Sequence, residues 1–186
     1  MNDTLPATLA EALRRSRVVH DGAAIGSAIA RMARELDARL NGREALFVTV
    51  LHGAMLYAGA LALAMRSPLR FDTVHATRYR GATEGGALVW KQRPATPLSG
   101  RTVLLVDDIL DEGHTLAALR EWCRAEGAAA VLIATLCCKR HARGVPGLVS
   151  DVNGLDVPDR YVYGYGMDYR EMGRNLPAIY ALEDAA

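Results

Sequence analysis

Val103-Leu104-Leu105-Val106-Asp107-Asp108-Ile109-Leu110-Asp111-Glu112-Gly113-His114-Thr115 is the stretch that decides how this chain is read. Its first four residues form a continuous apolar run, the pattern of a strand buried on both faces of a parallel sheet. Two adjacent carboxylates, Asp107 and Asp108, follow where that strand is expected to end. Three residues on, Asp111 begins a short acidic loop containing one glycine, and Thr115 opens a helical pattern. Side chains alternate along an extended backbone, so Asp107 and Asp108 converge on one ligand only if the strand has ended. Two carboxylates at such an edge can accept from vicinal hydroxyls or hold a hydrated Mg²⁺. The N–H groups of a glycine-containing turn beside a helix N-terminus make a nest for a phosphate, and Thr115 adds a hydroxyl donor. Either aspartate alone could simply cap a turn. The ordered combination points instead to a polyhydroxylated, phosphorylated ligand.

Working outward, the pattern is one of strands alternating with helices. Ala45 to Leu51 is an apolar run of strand length that ends in His52-Gly53, and Ala54 to Met65 then has helical composition. Leu69 to Thr77 reads as the next strand, with Asp72, Val74 and Ala76 alternating against Phe71, Thr73 and His75. Residues 78 to 86, opening with Arg78-Tyr79, are glycine-rich, polar and without period, which predicts a mobile loop. Ala87 to Lys91 is a candidate strand. Beyond the opening stretch, Thr115 to Arg124 is a helix with Leu116, Leu119 and Cys123 facing inward and Gly127 as its stop. Val131 to Cys138 is a further apolar strand, ending in Lys139-Arg140. Residues 141 to 160 hold three glycines and two prolines, predicting a loop or small accessory lobe. Tyr161-Val162-Tyr163 reads as a brief strand, and Ile179 to Leu182 as a strand closing the sheet edge.

Ahead of all this, residues 5 to 15 read as a short helix. A second helix is capped by Asp21, carries Ile25, Ile29, Met32, Leu36 and Leu40 on one stripe, and stops at Asn41-Gly42. The whole predicts an α/β domain over 1–186: a mainly parallel twisted sheet flanked by helices, with ligands beyond the strand C-termini.

The chain has 186 residues, a size suited to one domain with a substantial core. Its formal net charge of +1 argues against broad nonspecific binding to nucleic acid, which relies on basic excess. Cys123, Cys137 and Cys138 make neither a disulfide framework nor a CxxC metal knuckle, and read as small buried hydrophobes. The N-terminus lacks the basic flank and apolar core of a signal peptide. The longest apolar segment, Leu56 to Met65, is about half the ~20 residues needed to span a bilayer. The expectation is a cytoplasmic protein with no membrane or nucleic-acid partner.

The Val103–Thr115 stretch resembles the 5-phosphoribosyl-1-pyrophosphate signature of type I phosphoribosyltransferases. In that family an apolar run precedes two acidic residues, two apolar residues, Asp, a small residue, Gly and Thr. Lys139, then Pro158-Asp159-Arg160-Tyr161-Val162-Tyr163-Gly164-Tyr165-Gly166-Met167-Asp168-Tyr169, then Arg174-Asn175-Leu176-Pro177, is similar to the purine-binding half of hypoxanthine-guanine phosphoribosyltransferases. The resemblance covers residues 100 to 182, and more loosely from 45 onward. It implies Mg²⁺-dependent transfer of a 5-phosphoribosyl group to a 6-oxopurine, on the type I fold with a small hood lobe from the N-terminal segment and about 141–182. Asp107 and Asp108 would bind the ribose hydroxyls and Mg²⁺, with Asp168 as a further metal ligand. Asp111 would act as general acid or base at N7 of the base. Glu112, Gly113, His114 and Thr115 would hold the 5′-phosphate. Lys139 would donate to O6, Tyr161 would stack on the ring, and Val162 and Met167 would complete the base pocket. His52, Gly53 and Arg174 would contact pyrophosphate, and the loop from Arg78-Tyr79 would close over the ligands. A non-proline cis peptide is implied at Leu51-His52.

A lysine ammonium only donates, so Lys139 by itself favours a 6-oxo over a 6-amino purine. Three positions depart from the family pattern: His52 for lysine or arginine, Arg78 for serine and Asp107 for glutamate. A xanthine-preferring enzyme, or a regulator that senses phosphoribosyl pyrophosphate and binds RNA, are the alternatives. A homodimer or homotetramer is the assembly that the resemblance implies.

Overall fold

The protein is described from a computed structural model, which covers residues 5–78 and 88–183. In chain order its elements are α1 (Leu9–Arg14), β1 (Ser16–His20), α2 (Gly22–Leu40), β2 (Ala45–Val50), α3 (Met55–Ala64), β3 (Leu69–Arg78), β4 (Leu88–Gln92), β5 (Thr102–Leu110), α4 (His114–Ala125), β6 (Ala130–Lys139), β7 (Val152–Val157), β8 (Val162–Tyr163) and β9 (Ile179–Leu182). Six strands form the main sheet in the order β4-β3-β2-β5-β6-β7, parallel throughout except for β4 on the edge.

The apolar run of β5 sits at the centre because both of its faces are covered. Leu104 and Val106 pack with Met32 and Leu36 of α2 and Leu61 of α3, whereas Val103 and Leu105 pack with Leu116 and Leu119 of α4. A central strand between two helical layers has no face left for polar residues, which is why no alternation appears in its sequence.

The strand does not stop at the aspartates. β2 pairs with β5 only as far as Thr49 opposite Val106, but β6 continues the pairing to Cys138 opposite Leu110. Asp107 and Asp108 are therefore still in the strand, which corrects the expectation that they converge only beyond its end: both line one cleft, at the point where β2 on one side has fallen away. The turn after them ends at Gly113, whose φ of 80° and ψ of 4° make it a left-handed N-cap, so α4 begins at His114 rather than Thr115.

Three further differences lie outside the main helices. β1 lies between the two N-terminal helices, where no strand was expected. β7, inside the segment read as accessory, is the outer strand of the main sheet and runs parallel to β6. β9 does not close the main sheet but is the middle strand of a separate antiparallel sheet, β1-β9-β8. The small sheet is held from below by an aromatic group. Tyr163 stacks on Tyr180 with centroids 5.6 Å apart, packs against Tyr169 at 5.3 Å, and donates to Ser16 Oγ at 2.9 Å. The expected mobile loop lies outside the described residues: Tyr79 entirely, and Arg78 except for its backbone at the end of β3. Among the described residues no helix is long and apolar enough to cross a membrane.

Candidate active site

The parallel strands β2, β5 and β6 all end on one side of the sheet, and a cleft of about 810 Å³ opens there. His52 and Gly53 after β2, Asp107 and Asp108 on β5, and Asp111 to Thr115 leading into α4 all line it. Asp168 and Arg174 reach it from the segment between β8 and β9. A smaller hollow of about 230 Å³ shares Asp108, Asp111 and Asp168, and adds Lys139, Tyr161, Val162 and Met167. Fifteen of the residues singled out in the sequence thus meet in two adjoining spaces; Tyr79 and the Arg78 side chain lie outside the described residues.

The floor is acidic. The Asp108 N–H donates to Asp107 Oδ1 at 3.0 Å. Burial and the neighbouring Asp108 charge push the Asp107 carboxyl well above its ordinary value. Burial also raises Asp108, against donation from its neighbours and the pull of the Arg174 charge. Gly53 is glycine for a steric reason, since a Cβ there would overlap the Asp108 carboxylate. Two crowded carboxylates of this kind suit a hard divalent cation, which takes oxygen ligands and relieves their repulsion. Asp168, a further acid of the cleft, is drawn to Arg174 at 2.8 Å.

Among the described residues the one trio of His, Asp or Glu ligand atoms lying within 4.8 Å of one another is elsewhere: Asp111, His141 and Asp159. Cations of the chain already fill that spot. Lys139 bridges Asp111 at 2.6 Å and Arg143 forks onto Asp159 at 2.7 and 2.6 Å, which disfavours an additional metal ion.

Repulsion on the floor has a measurable consequence. Asp107→Asn is expected to raise the ligand-free melting temperature at neutral pH by about 2–4 °C, the response of a chain this size to ~1 kcal/mol. The sign follows from the raised carboxyl: the fold favours its protonated form. Wild-type stability therefore falls as pH climbs from the ordinary aspartate range through the raised value, and the variant loses that fall. Calorimetry at neutral pH and below the ordinary aspartate range checks it, with the gain vanishing in acid.

Next to the floor, Asp111 is held by both oxygens. Lys139 donates to Oδ2 and His141 Nε2 meets Oδ1, each at 2.6 Å. Burial works to raise the Asp111 carboxyl, but donation and charge from Lys139 and His141 outweigh it and hold the group below its ordinary value.

Above α4 the Gly113 cap makes no side-chain hydrogen bond to the helix, so the N–H groups of the first turn remain to be satisfied by a ligand or solvent. Toward the small sheet, Tyr161 presents its ring edge-on to Tyr169 at 5.2 Å and donates to the Asp168 carbonyl at 3.3 Å. Arg174 donates to the Gly166 carbonyl at 2.7 Å as well as to Asp168, pinning the turn that carries Met167 and Asp168. On the opposite side the Leu51-His52 peptide is cis, and the His52 ring meets His75 edge-on at 4.5 Å.

A mostly parallel α/β sheet with an acidic strand edge and a glycine-capped anion nest narrows the fold family sharply. Residues 17–170 match the model of the phosphoribosyl transferase domain. This chain belongs to the phosphoribosyltransferase family. A hypoxanthine-guanine phosphoribosyltransferase of Streptococcus pneumoniae is 32% identical over 173 residues, 92% of this chain and 94% of that one. Among solved structures, a hypoxanthine phosphoribosyltransferase of Staphylococcus aureus superposes with a TM-score of 0.87 at 26% identity, covering 96% and 97% of the two chains. A hypoxanthine-guanine-xanthine phosphoribosyltransferase does so with 0.80 at 28% identity, covering 90% and 97%. Phosphoribosyltransferases of this kind use a divalent metal.

Sequence reasoning missed two residues beside Asp111. His141 and Arg143 stand in the segment of glycines and prolines after β6, with no period to mark them. The Val145 N–H donates to the Glu112 carbonyl at 2.8 Å, folding that segment back over the Asp111 loop. The run Lys139-Arg140-His141 directly after a buried strand was the available signal, because strand C-termini feed the site in this fold.

Proposed function

We propose that the chain transfers the 5-phosphoribosyl group of 5-phosphoribosyl-1-pyrophosphate to N9 of hypoxanthine or guanine, forming IMP or GMP and releasing pyrophosphate. The observation that carries this is the pairing of Lys139 with Asp111 inside the hollow walled by Tyr161 and Val162. The N7 edge of a 6-oxopurine offers an acceptor, O6, beside a donor, N7–H. That pattern complements a lysine donor beside a carboxylate acceptor, so the base replaces the Lys139–Asp111 bridge with two hydrogen bonds of its own. Adenine offers an amino donor where Lys139 also donates, and is rejected. Tyr161 supplies a ring face, with stacking worth ~1–3 kcal/mol, and Val162 and Met167 close the pocket.

N9 attacks C1′ as the bond to pyrophosphate breaks. Positive charge develops on the imidazole ring of the purine, and Asp111 accepts the N7 proton. Asp107 and Asp108 accept from the ribose hydroxyls, while the backbone of Glu112, Gly113 and His114, with the Thr115 hydroxyl, binds the 5′-phosphate at the α4 N-terminus. His52, Gly53 and Arg174 bind the departing pyrophosphate. Mg²⁺, held by Asp107, Asp108 and Asp168, would offset the charge on that leaving group. The loop from Arg78 and Tyr79 excludes water from C1′, since hydrolysis competes with transfer.

Met55 on α3 and Phe71 on β3 line one exposed hollow, and Leu56 and Leu63 of α3 are exposed as well, apolar surface suited to a homodimer or homotetramer. Near-neutral charge and small-molecule substrates fit a cytoplasmic enzyme without nucleic-acid or membrane partners.

The direct test is pyrophosphate release by the purified protein with phosphoribosyl pyrophosphate, Mg²⁺ and one of hypoxanthine, guanine, xanthine or adenine. Release with hypoxanthine and guanine and none with adenine is expected. A preference for adenine, or silence with all four bases, would refute the reading, and xanthine as the best acceptor would shift its specificity.

A further inference from the structure

Asp111 stands between two spaces. On one side is the base hollow with Lys139 and Tyr161; on the other is a cavity of about 450 Å³ bordered by His141, Val145 and Leu148. Lys139 borders both, but His141 borders only the second, behind Asp111 as seen from the base. His141 is nearly inaccessible, its side chain 6% exposed. Its Nδ1 accepts from the Arg143 N–H at 3.2 Å, which assigns the proton of the neutral ring to Nε2, the atom that meets Asp111 Oδ1. Arg143 in turn is forked onto Asp159, and Val145 is tied to Glu112, so the ring is held from several directions.

We propose that His141 is a positioning residue of the transfer reaction, clamping Asp111 Oδ1 from behind so that Oδ2 is the oxygen presented to N7 of the base. The inference deepens the reading given under Proposed function and rests on it. Base binding draws Lys139 toward O6, so the carboxylate loses one of its two partners as the reaction begins. His141 does not touch the base hollow and keeps its hydrogen bond through that exchange. Without it the carboxylate would rotate or follow Lys139, and a misplaced base costs about a hundredfold when the displacement nears an ångström.

The groups facing Asp111 are Lys139 and Cys138 on β6, His141 and Arg143 on the loop beyond, Glu112 beside it and Asp159 from the β7–β8 connection. His141→Ala changes only one of them. His141→Gln returns an N–H donor without the ring. In the ligand-free protein, the ¹³C carboxyl signal of Asp111 is expected to titrate at higher pH in His141→Ala than in wild type, with His141→Gln between. With hypoxanthine, kcat of His141→Ala should fall about 10- to 100-fold. Its acid limb should move to higher pH, KM for phosphoribosyl pyrophosphate should stay unchanged, and His141→Gln should recover part of the loss.

An Asp111 titration unmoved in His141→Ala overturns the proposal whatever the kinetics do. So does a parallel loss of kcat and affinity in both variants, which marks His141 as packing alone. A wild-type protein inactive with every 6-oxopurine refutes the proposed reaction instead, and the carboxyl titration still decides whether His141 holds Asp111.

Discussion

Asp111→Asn is expected to lower kcat by about 10²- to 10⁴-fold, the range contributed by a positioned general acid or base. The change is nearly isosteric and leaves the floor of Asp107 and Asp108 intact, so the affinity for phosphoribosyl pyrophosphate should hardly move. What is lost is an acceptor for the N7 proton at neutral pH. A second loss follows from the hydrogen-bond pattern. Two donors, Lys139 and His141, meet the two oxygens of the carboxylate. An amide accepts from only one of them and turns its own donor toward the other, so the side chain is also less well held. Steady-state kinetics with hypoxanthine, varying each substrate in turn, separate the two effects. A variant with wild-type kcat would remove Asp111 from the chemistry.

Lys139→Ala is expected to reduce kcat/KM for hypoxanthine and guanine by about 10- to 100-fold, corresponding to the ~1.5–3 kcal/mol of a hydrogen bond to a charged group. Unsubstituted purine, which has no O6, should lose far less. The selectivity is the informative part, because Lys139 is half of a donor–acceptor pair that distinguishes an oxo from an amino group. The variant should also be less stable near neutral pH. Lys139 helps to hold the Asp111 carboxyl below its ordinary value, and a carboxyl lowered by folding stabilises the protein above its ordinary range. That support disappears as pH falls through the lowered value, so wild type and variant should converge in acid. Equal losses with every acceptor base would show that Lys139 matters for shape and not for base reading.

Much of this site was legible because it is local. The apolar run of β5, the two aspartates and the glycine turn lie within thirteen consecutive residues, and a strand buried on both faces leaves a signature that needs no knowledge of its neighbours. Lys139 was legible for the same reason, as the polar end of a second such strand. The extent of β5 was not, since it depends on where β6 stops, and β6 is separated from it by a whole helix. β1, β8 and β9 are short, and β1 finds its partner across most of the chain, with Ser16 opposite Leu182, while β8 meets β9 through Val162 opposite Ala181. Nothing in Ser-Arg-Val-Val-His announces such a partner. His141 was hidden because its importance is a matter of which oxygen it reaches, and that is settled by the fold-back of Val145 onto Glu112.

The small sheet also governs when the enzyme becomes competent. Its middle strand is β9, at residues 179–182, and its flanks come from residues 16–20 and 162–163. Closing a contact over so much chain is slow and yields nothing until both ends are present. During synthesis the strands from β2 to β7 can therefore pair and bury their core while β1 still waits for β9. Val162, which lines the base hollow, belongs to that late-forming sheet, whereas the phosphate nest belongs to the early one. A nascent or partly unfolded chain thus acquires its grip on the sugar phosphate, and the Lys139–Asp111 pair with it, before the wall that encloses the base.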